Sequence, residues 1–239
     1  QHRGRDAAGI AAIGPKKIDV MKWKGKVGRV SRGQLERIFR GHDYHTFLAH
    51  VRYATKGRKD QILNDAQPQV IGGTRTNYDD HIIIRGCDAA IVHNGQVDVA
   101  RLNGLEDVVL QSGSDSEALL HYFQRKGEDA ILRNVPGAYT CAIASVNEDN
   151  VIVLRDRAGI MSGVLGEKGG RKVVASEDIA IKKEGGKYLE DLTPGCVYYL
   201  TPSGDVILNK VVEPQRKHCH FGWTYLADPE SILDELPVR

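Results

Sequence analysis

The first group of residues with chemical potential is Arg52-Tyr53-Ala54-Thr55, which begins where a nearly continuous apolar run at residues 47–51 ends. Such a run predicts a buried strand that delivers a guanidinium and a hydroxyl to its carboxyl end, beside a charged loop. This combination is suited to binding a small carboxylate. The alternative is an arginine at a sheet edge that pairs with an acidic side chain.

The second group is His93-Asn94-Gly95, directly after the apolar run at residues 89–92. Asn-Gly is a strong tight-turn dipeptide, and a turn alone would explain it. The functional alternative is an oxyanion hole, in which the Asn94 side-chain amide and the Gly95 backbone N–H donate hydrogen bonds to a developing negative oxygen.

The third group is Ser114-Asp115-Ser116-Glu117, whose spacing is that of a capping box and predicts the start of a helix. An acid in the first turn also complements the helix dipole. The functional alternative is that Asp115 holds a substrate ammonium. Together with Arg52, it would then bind the two ends of a free α-amino acid.

The strands that must position these groups are predicted from apolar patterns. Residues 7–13 form an apolar run typical of a buried strand, and the alternation at residues 18–24 predicts a strand with one solvent-exposed face. Residues 81–84 and 89–92 predict a hairpin joined at residues 85–88.

Helices are predicted after Ser31, which has the spacing of a cap, after Ser114, and at residues 129–135. From Gly137 onward, short apolar runs predict a series of strands. Many short strands with a few helices favour an α+β protein of two stacked antiparallel sheets with helices outside them, forming one domain.

Composition excludes several classes of function. Lysine and arginine total 33 and aspartate and glutamate 31, a net charge of +2, and aromatic residues are only 6%, so no basic aromatic surface for nucleic acid is expected. No apolar run reaches transmembrane length, which argues against a membrane protein. The four cysteines are scattered without a C-x-x-C pair, which favours a reducing, cytoplasmic location.

Six motifs occur in the order found in class II glutamine amidotransferases. They lie at residues 1–10, 50–55, 93–95, 114–117, 137–139 and 174–177. The sequences QHRGRDAAGI and HVRYAT are similar to motifs of the family of glutamine phosphoribosylpyrophosphate amidotransferases. Residues 221–231 resemble the segment that leads into the phosphoribosyltransferase domain of that family. The resemblance therefore covers essentially the whole chain.

The resemblance implies an N-terminal-nucleophile hydrolase fold, a four-layer αββα sandwich of two mostly antiparallel sheets. In this family an N-terminal cysteine attacks the side-chain amide of glutamine, releases ammonia and leaves a glutamyl thioester that water hydrolyses. Carried over by motif, the site residues are Arg52 for the α-carboxylate and Asp115 for the α-ammonium of glutamine, Asn94 and Gly95 for the oxyanion hole, Tyr53 and Thr55 for the pocket lining, and Arg3 beside the nucleophile. The loop after Thr55 corresponds to the mobile glutamine loop of the family.

The nucleophile of this family has to be N-terminal, because the free α-amine serves as the base for the thiol at neutral pH. The internal cysteines lack such an amine, and Cys141 lies in a predicted strand, where a buried structural thiol is expected. The cysteine–glycine strand that opens the family precedes the QHRG motif, so we expect the nucleophile and that first strand to lie upstream of Gln1. Residues 1–239 are expected to form the glutaminase domain, without the phosphoribosyltransferase domain that follows it in the family.

Two segments depart from the family pattern. Residues 156–163 read D-R-A-G-I-M-S-G where the family has D-P-x-G-I-R-P-L, and Ala227-Asp228-Pro229 replaces a small residue, arginine and proline. The first change puts the local loop in doubt.

No cofactor is expected in this chain. The family's Mg²⁺ belongs to the phosphoribosyltransferase domain. Cys219 aligns with a cysteine that ligates an iron–sulfur cluster in some members of the family, although members without clusters also have this cysteine, and a cluster could form only in a longer chain that supplies the other ligands. A zinc site at His218-Cys219-His220 is disfavoured, because adjacent ligands rarely wrap one tetrahedral ion.

The predicted function is hydrolysis of glutamine to supply ammonia to phosphoribosylpyrophosphate in purine nucleotide synthesis. The expected partners are glutamine, a phosphoribosyltransferase domain or subunit, and further copies in a homo-oligomer. Two alternatives stay open, namely a glutaminase for another acceptor such as fructose 6-phosphate, and a non-catalytic glutamine-binding protein. Against the first, the fructose 6-phosphate enzymes usually carry a tryptophan where Tyr53 stands.

Overall fold

The computed structural model describes residues 3–53 and 61–239. The chain divides into two compact units. The first comprises Gln1–His93, Leu102–Arg125 and Ala142–Val151, and the second comprises Asn94–Arg101, Lys126–Cys141 and Ile152–Arg239.

Short strands dominate the described residues. The strands are β1 (Ala7–Gly14), β2 (Lys17–Lys24), β3 (Thr46–Arg52), β4 (Gln69–Asn77), β5 (His81–Val97), β6 (Gly137–Ser145), β7 (Val151–Arg155), β8 (Val164–Lys168), β9 (Arg171–Ala175), β10 (Lys187–Asp191), β11 (Cys196–Leu200), β12 (Val206–Lys210), β13 (Ile232–Leu233) and β14 (Leu236–Pro237). The α-helices are α1 (Arg32–Ile38), α2 (Asp115–Asn134) and α3 (Asp178–Lys183), with 3₁₀ turns at Val27–Arg29 and Val99–Arg101 and a π-helical turn at Gly222–Leu226.

The first unit is built on an antiparallel sheet in the order β3-β1-β2-β5-β4. The register places Lys24, Ala7 and Arg52 side by side across β2, β1 and β3. Because neighbours across a sheet point to the same face and alternate residues share a face, Lys22 of β2 and His50 of β3 lie on the face that carries Arg52. One face of the sheet thus gathers the polar side chains from which the candidate site is built.

The other face of this sheet is apolar. Ala8, Met21 and Trp23 form a buried cluster there, against which residues of α1 and neighbouring strands pack. Helix α1 begins as predicted, because the Ser31 side chain accepts from the Gln34 backbone N–H while the Gln34 side chain accepts from the Ser31 backbone N–H. Burial of this face leaves the opposite face for polar chemistry.

The hairpin predicted at residues 81–92 is wrong, because β5 is one continuous strand of 17 residues. Gly86 has a φ of +68°, and its N–H donates to the buried carboxylate of Asp19, to which Arg85 also donates. The polar residues that suggested a turn therefore form an irregularity in the pairing of β5 with β2.

Two predictions of strand burial also need correction. Strand β2 has no solvent-exposed face, since Asp19 and Lys22 are buried together with its apolar residues. Conversely, the run at residues 47–51 is only partly buried, because Phe47 is 51% exposed and Ala49 is exposed. In contrast, β1 is the buried strand that its sequence predicts.

The second unit contains strands in the order β12-β11-β7-β6, a three-stranded antiparallel sheet β10-β8-β9 and the small pair β13-β14. Arg155 at the end of β7 is 1% exposed and binds several distant segments of this unit. Its guanidinium donates to the carbonyl oxygens of Gly159, Met161 and Leu192 and pairs with Asp234 at 2.8 Å. The segment that departs from the family pattern is therefore firmly held.

Helix α2 starts at Asp115, as its sequence predicts, and is interrupted at Gly127, where φ is +77°. The interruption agrees with the two helices predicted in this region. Within residues 3–53 and 61–239, no helix has the length and apolar content needed to cross a membrane.

Candidate active site

Arg52 ends β3, and its guanidinium pairs with a carboxylate of its own chain. Its Nη2 donates to Asp65 Oδ2 at 3.1 Å, and its side chain is 13% exposed. The alternative of an arginine paired with an acid is therefore observed. A guanidinium has five N–H donors, so this pair does not by itself preclude binding of a substrate carboxylate.

Asp65 connects Arg52 to the loop that precedes α2. Its Oδ1 accepts from the backbone N–H of Gly113 at 2.9 Å, and its side chain is 6% exposed. Gly113 stands just before Ser114 and Asp115 in the chain. The end of β3 and the start of α2, which carry the two predicted recognition residues, are therefore bridged by one buried carboxylate.

Asp115 occupies the first turn of α2, where several polar contacts fix the backbone. The Ser116 backbone N–H donates to Ser114 Oγ, and Glu117 accepts from the backbone N–H groups of Gln111 and Ser112 at 2.8 and 2.7 Å. In the predicted capping box, the Glu117 side chain would accept from the Ser114 backbone N–H. In the structure it accepts instead from the loop that precedes Ser114, which is a variant of that motif. The result is a fixed turn that presents a partly exposed Asp115 carboxylate.

His93, buried beneath this turn, was not assigned a role by the sequence. Its Nδ1 lies 3.1 Å from Ser116 Oγ and 3.9 Å from Asp115 Oδ1. Burial lowers the pKa of His93, and the charge of Asp115 only partly opposes this. His93 therefore orients the turn as a neutral hydrogen-bonding group and not as a counter-ion.

His50 stands on the same sheet face as Arg52 and is also neutral near pH 7. Burial lowers its pKa to about 4, and the positive charge of Arg52 acts in the same direction. Because both buried imidazoles are neutral, they add no positive charge beside Arg52 near the end of β3.

The segment that carries Asp65 is fastened to the sheet by two glutamines. Gln67 exchanges hydrogen bonds with the His93 backbone, accepting from its N–H at 2.5 Å and donating to its carbonyl at 3.0 Å. Gln69 donates to the carbonyl oxygens of Asn64 and Ala66. Asp65 is therefore held on a well-anchored backbone.

Lys22 lies beneath this segment, and its Nζ donates to Gln69 Oε1 at 3.4 Å. Burial lowers its pKa to about 7, and the charge of Arg75 adds to the effect. The charges of Glu117 and Asp65 oppose the shift but do not cancel it. The floor of the site, beneath the Asp65 segment, thus contains an amine, that of Lys22, which titrates near neutral pH.

Replacing Lys22 with methionine is expected to remove a pH-dependent cost to stability. Between about pH 7 and the ordinary lysine pKa of about 10.4, the unfolded chain binds a proton that the folded chain does not, so stability rises with pH. The difference in unfolding free energy between wild type and Lys22→Met should change by up to about 1.4 kcal/mol per pH unit between pH 7 and 9.

Urea unfolding at several pH values measures this difference, with Lys26→Met at an exposed lysine as the control. Burial also raises the pKa of Cys87 to about 12, so this thiol stays protonated in both folded proteins between pH 7 and 9 and its contribution to the difference cancels. A pH-independent difference would contradict the assignment.

Asn94 and Gly95 belong to the second unit, inside β5. The tight-turn interpretation of Asn-Gly is therefore wrong. Gly95 has a φ of +140°, and a Cβ there would lie 2.0 Å from the carbonyl oxygen of Ala138. Glycine is required at this position by both backbone conformation and close approach, and the oxyanion role of Asn94 and Gly95 stays a prediction.

The remaining predicted residues lie at the edges of the described regions. Gly4 packs against Val51, where a Cβ would lie 2.6 Å from the backbone carbon, so Arg3 stands beside the carboxyl end of β3. Tyr53 is 67% exposed. Thr55 and the first part of the predicted glutamine loop, up to Asp60, lie outside the described residues. The roles of Arg3, Tyr53 and Thr55 stay predictions.

The cysteines show no sign of activation for nucleophilic attack. Cys87, Cys141 and Cys196 are buried, and burial raises the pKa of each thiol. Cys219 is half-buried, and the neighbouring His218 faces Asp234 at 3.6 Å. Among residues 3–53 and 61–239, no group of three or more histidine, cysteine, aspartate or glutamate side chains is arranged to hold a metal ion.

The glutamine amidotransferase domain family matches residues 36–201, and the chain belongs to this family. The chain is similar to the amidophosphoribosyltransferases of Methanothermobacter thermautotrophicus, with 26% identity over 98% of this chain and 48% of the relative, and of Bacillus subtilis, with 29% identity over 100% and 49%. Among solved structures, the glutamine phosphoribosylpyrophosphate amidotransferase of Bacillus subtilis complexed with ADP and GMP matches with a TM-score of 0.80 and 27% identity, over 100% of this chain and 50% of that chain.

These comparisons confirm the resemblance that the motifs indicated. They also confirm an α+β fold with antiparallel sheets of the N-terminal-nucleophile hydrolase type. The chain spans about half the length of the curated relatives it matches.

Proposed function

We propose that this chain binds glutamine and catalyses hydrolysis of its side-chain amide to glutamate and ammonia. The observation that carries the proposal is the bridge from Arg52 through Asp65 and Gly113 to the turn of Asp115, in a chain of the glutamine amidotransferase family. A fixed guanidinium and a fixed carboxylate are complementary to the two charged groups of a free α-amino acid. Arg52 binds the α-carboxylate and Asp115 the α-ammonium.

In the proposed reaction, a thiolate attacks the side-chain carbonyl carbon, and the carbonyl oxygen becomes an oxyanion that accepts from the Asn94 amide and the Gly95 N–H. The tetrahedral intermediate collapses, the C–N bond breaks, and the nitrogen leaves as ammonia. It takes its proton from the N-terminal ammonium of the nucleophilic cysteine, which had received that proton from the thiol. Water then hydrolyses the thioester to glutamate. A donor in such an oxyanion hole contributes about 3–4 kcal/mol to the transition state.

The nucleophile in this proposal is an N-terminal cysteine, as the family resemblance implies, and none of the four cysteines in residues 1–239. Burial and raised thiol pKa values at Cys87, Cys141 and Cys196 support their exclusion, because the thiolate is the reactive form. Arg3 stands beside the nucleophile, and Tyr53 and Thr55 line the pocket.

The proposed acceptor of the ammonia is phosphoribosylpyrophosphate, in purine nucleotide synthesis. The names of the relatives support this acceptor and a phosphoribosyltransferase domain as the partner. That this domain requires Mg²⁺ is implied by the family resemblance alone. Residues 1–239 form the glutaminase domain of the proposed enzyme, which assembles as a homo-oligomer. Four free cysteines support a reducing compartment, the cytoplasm.

The test uses the full-length protein with its natural N-terminus. It is expected to release glutamate from glutamine and to become labelled by a glutamine analogue that carries an electrophile in place of the side-chain amide. Peptide mapping by mass spectrometry should find the label on the N-terminal cysteine and on none of Cys87, Cys141, Cys196 and Cys219. Label on one of these four, or no glutamate release, would overturn the proposal.

A further inference from the structure

Asp65 is a buried acid for which the mechanism above has no chemical role, yet both of its carboxylate oxygens are engaged. Oδ2 accepts from Arg52 Nη2 at 3.1 Å, and Oδ1 accepts from the Gly113 N–H at 2.9 Å. These partners come from the end of β3 and from the loop before α2. One side chain thus binds the elements that hold both proposed recognition groups.

The backbone around Asp65 makes this bridge stiff. Gln67 pairs with both backbone groups of His93, and Gln69 ties the carbonyl oxygens of Asn64 and Ala66. Because its backbone is anchored, the Asp65 carboxylate has little freedom to move with its hydrogen-bond donors. It therefore fixes the positions of the Arg52 guanidinium and the Gly113 N–H.

We propose that Asp65 is a positioning residue that sets the spacing between the guanidinium of Arg52 and the carboxylate of Asp115. The inference rests on the proposed function, because that spacing matters only if the two groups bind the two ends of one amino acid. Asp65 itself does not contact the reacting atoms.

Asp65 has two opposing effects on a bound α-carboxylate. Its negative charge repels the ligand, whereas its hydrogen bonds hold Arg52 and the Asp115 turn in place. The repulsion is small, because the charge is already compensated by Arg52 and by the Gly113 N–H. The ordering is large, because a long arginine side chain loses much rotational freedom when it binds a ligand unless a partner has already fixed it. Positioning therefore dominates.

The spacing affects only ligands that use both ends. Glutamine has a free α-carboxylate and a free α-ammonium, whereas glutamine amidated at the α-carboxylate presents only the ammonium end to Asp115. Loss of Asp65 should therefore impair the hydrolysis of glutamine more than that of the amidated analogue.

The experiment compares full-length wild type with Asp65→Asn, an isosteric change that leaves an oxygen able to accept from Gly113. It measures the release of glutamate from glutamine and of glutamate α-amide from the amidated analogue. The KM for glutamine is expected to rise at least about tenfold, the worth of a hydrogen bond between charged groups, while kcat changes by less than about threefold. The preference for glutamine over its amidated analogue should fall by a similar factor. Asp65→Glu, which keeps the charge, should recover part of the KM.

The matched control is Asp107→Asn, which breaks an exposed ion pair with Arg125 and should leave KM unchanged. An unchanged or lower KM in Asp65→Asn, or an equal loss for both substrates, would overturn the inference. If wild type releases no glutamate, the proposed function fails. Titration calorimetry with glutamine, for wild type and Asp65→Asn, then tests the positioning alone, and equal affinities would overturn it.

Discussion

Replacing Arg52 with alanine is expected to raise the KM for glutamine by about 30-fold to a few thousand-fold, because truncating one partner of a buried charge pair costs about 2–5 kcal/mol. The effect should fall on KM more than on kcat, since the α-carboxylate lies away from the scissile amide. Steady-state glutamate release by the full-length protein measures both constants. Normal turnover would contradict the assignment of Arg52.

Two further variants make this result specific. Arg52→Lys keeps the charge but loses the planar fork, so it should recover only part of the affinity. Arg32→Ala removes an exposed arginine that pairs with Glu36 on α1 and should leave the KM for glutamine unchanged. Arg52→Ala also leaves Asp65 buried without this guanidinium, so thermal unfolding of each variant has to be compared with wild type.

Replacing Arg155 with alanine is expected to destabilise the second unit by about 3–5 kcal/mol, because it leaves the buried Asp234 carboxylate without its counter-charge. The same change removes the donors for the carbonyl oxygens of Gly159, Met161 and Leu192. For a protein of this size, about 2–4 °C of Tm is lost per kcal/mol, so Tm should fall by roughly 6–20 °C. Thermal unfolding followed by circular dichroism measures the loss.

Arg125→Ala is the matched control for this prediction. Arg125 also makes two hydrogen bonds to a carboxylate, that of Asp107, but this pair is exposed. Exposed ion pairs contribute about 0.2–1 kcal/mol, so its Tm should stay within a few degrees of wild type. Equal losses for the two arginines would show that burial does not set the effect.

Where structure depends on neighbours in sequence, the amino-acid pattern predicts it well. The apolar run of β1, the Ser31 cap of α1 and the start of α2 at Asp115 all depend on residues within a few positions of each other. The candidate site was predictable to the same extent, because Arg52 and Asp115 stand at the ends of such local elements. The motif resemblance then connected them.

What the pattern could not predict depends on partners distant in sequence. Arg85 and Gly86 suggest a turn when only neighbouring residues are considered. In the folded chain both donate to Asp19, which lies more than sixty positions away. Likewise, Lys22 suggests a solvent-exposed face in the sequence pattern, but in the folded chain the segment at Gln69 covers it. Asp65 is one of many polar residues in a long loop, and no local signal distinguishes it from the others. Buried polar networks of this kind become visible only once the chain is folded.

Asn94 lies within a long strand and not in a loop, and this has a consequence for the effect of heat. A group on a paired strand keeps its position until the sheet itself opens, whereas loops open locally at lower free energy. In the proposed roles, Arg52, which captures the substrate, also stands on a paired strand, at the end of β3, so warming should not separate substrate capture from the proposed oxyanion donors. Near the melting temperature, the protein is expected to lose its affinity for glutamine and its capacity for turnover together, as its strands unpair.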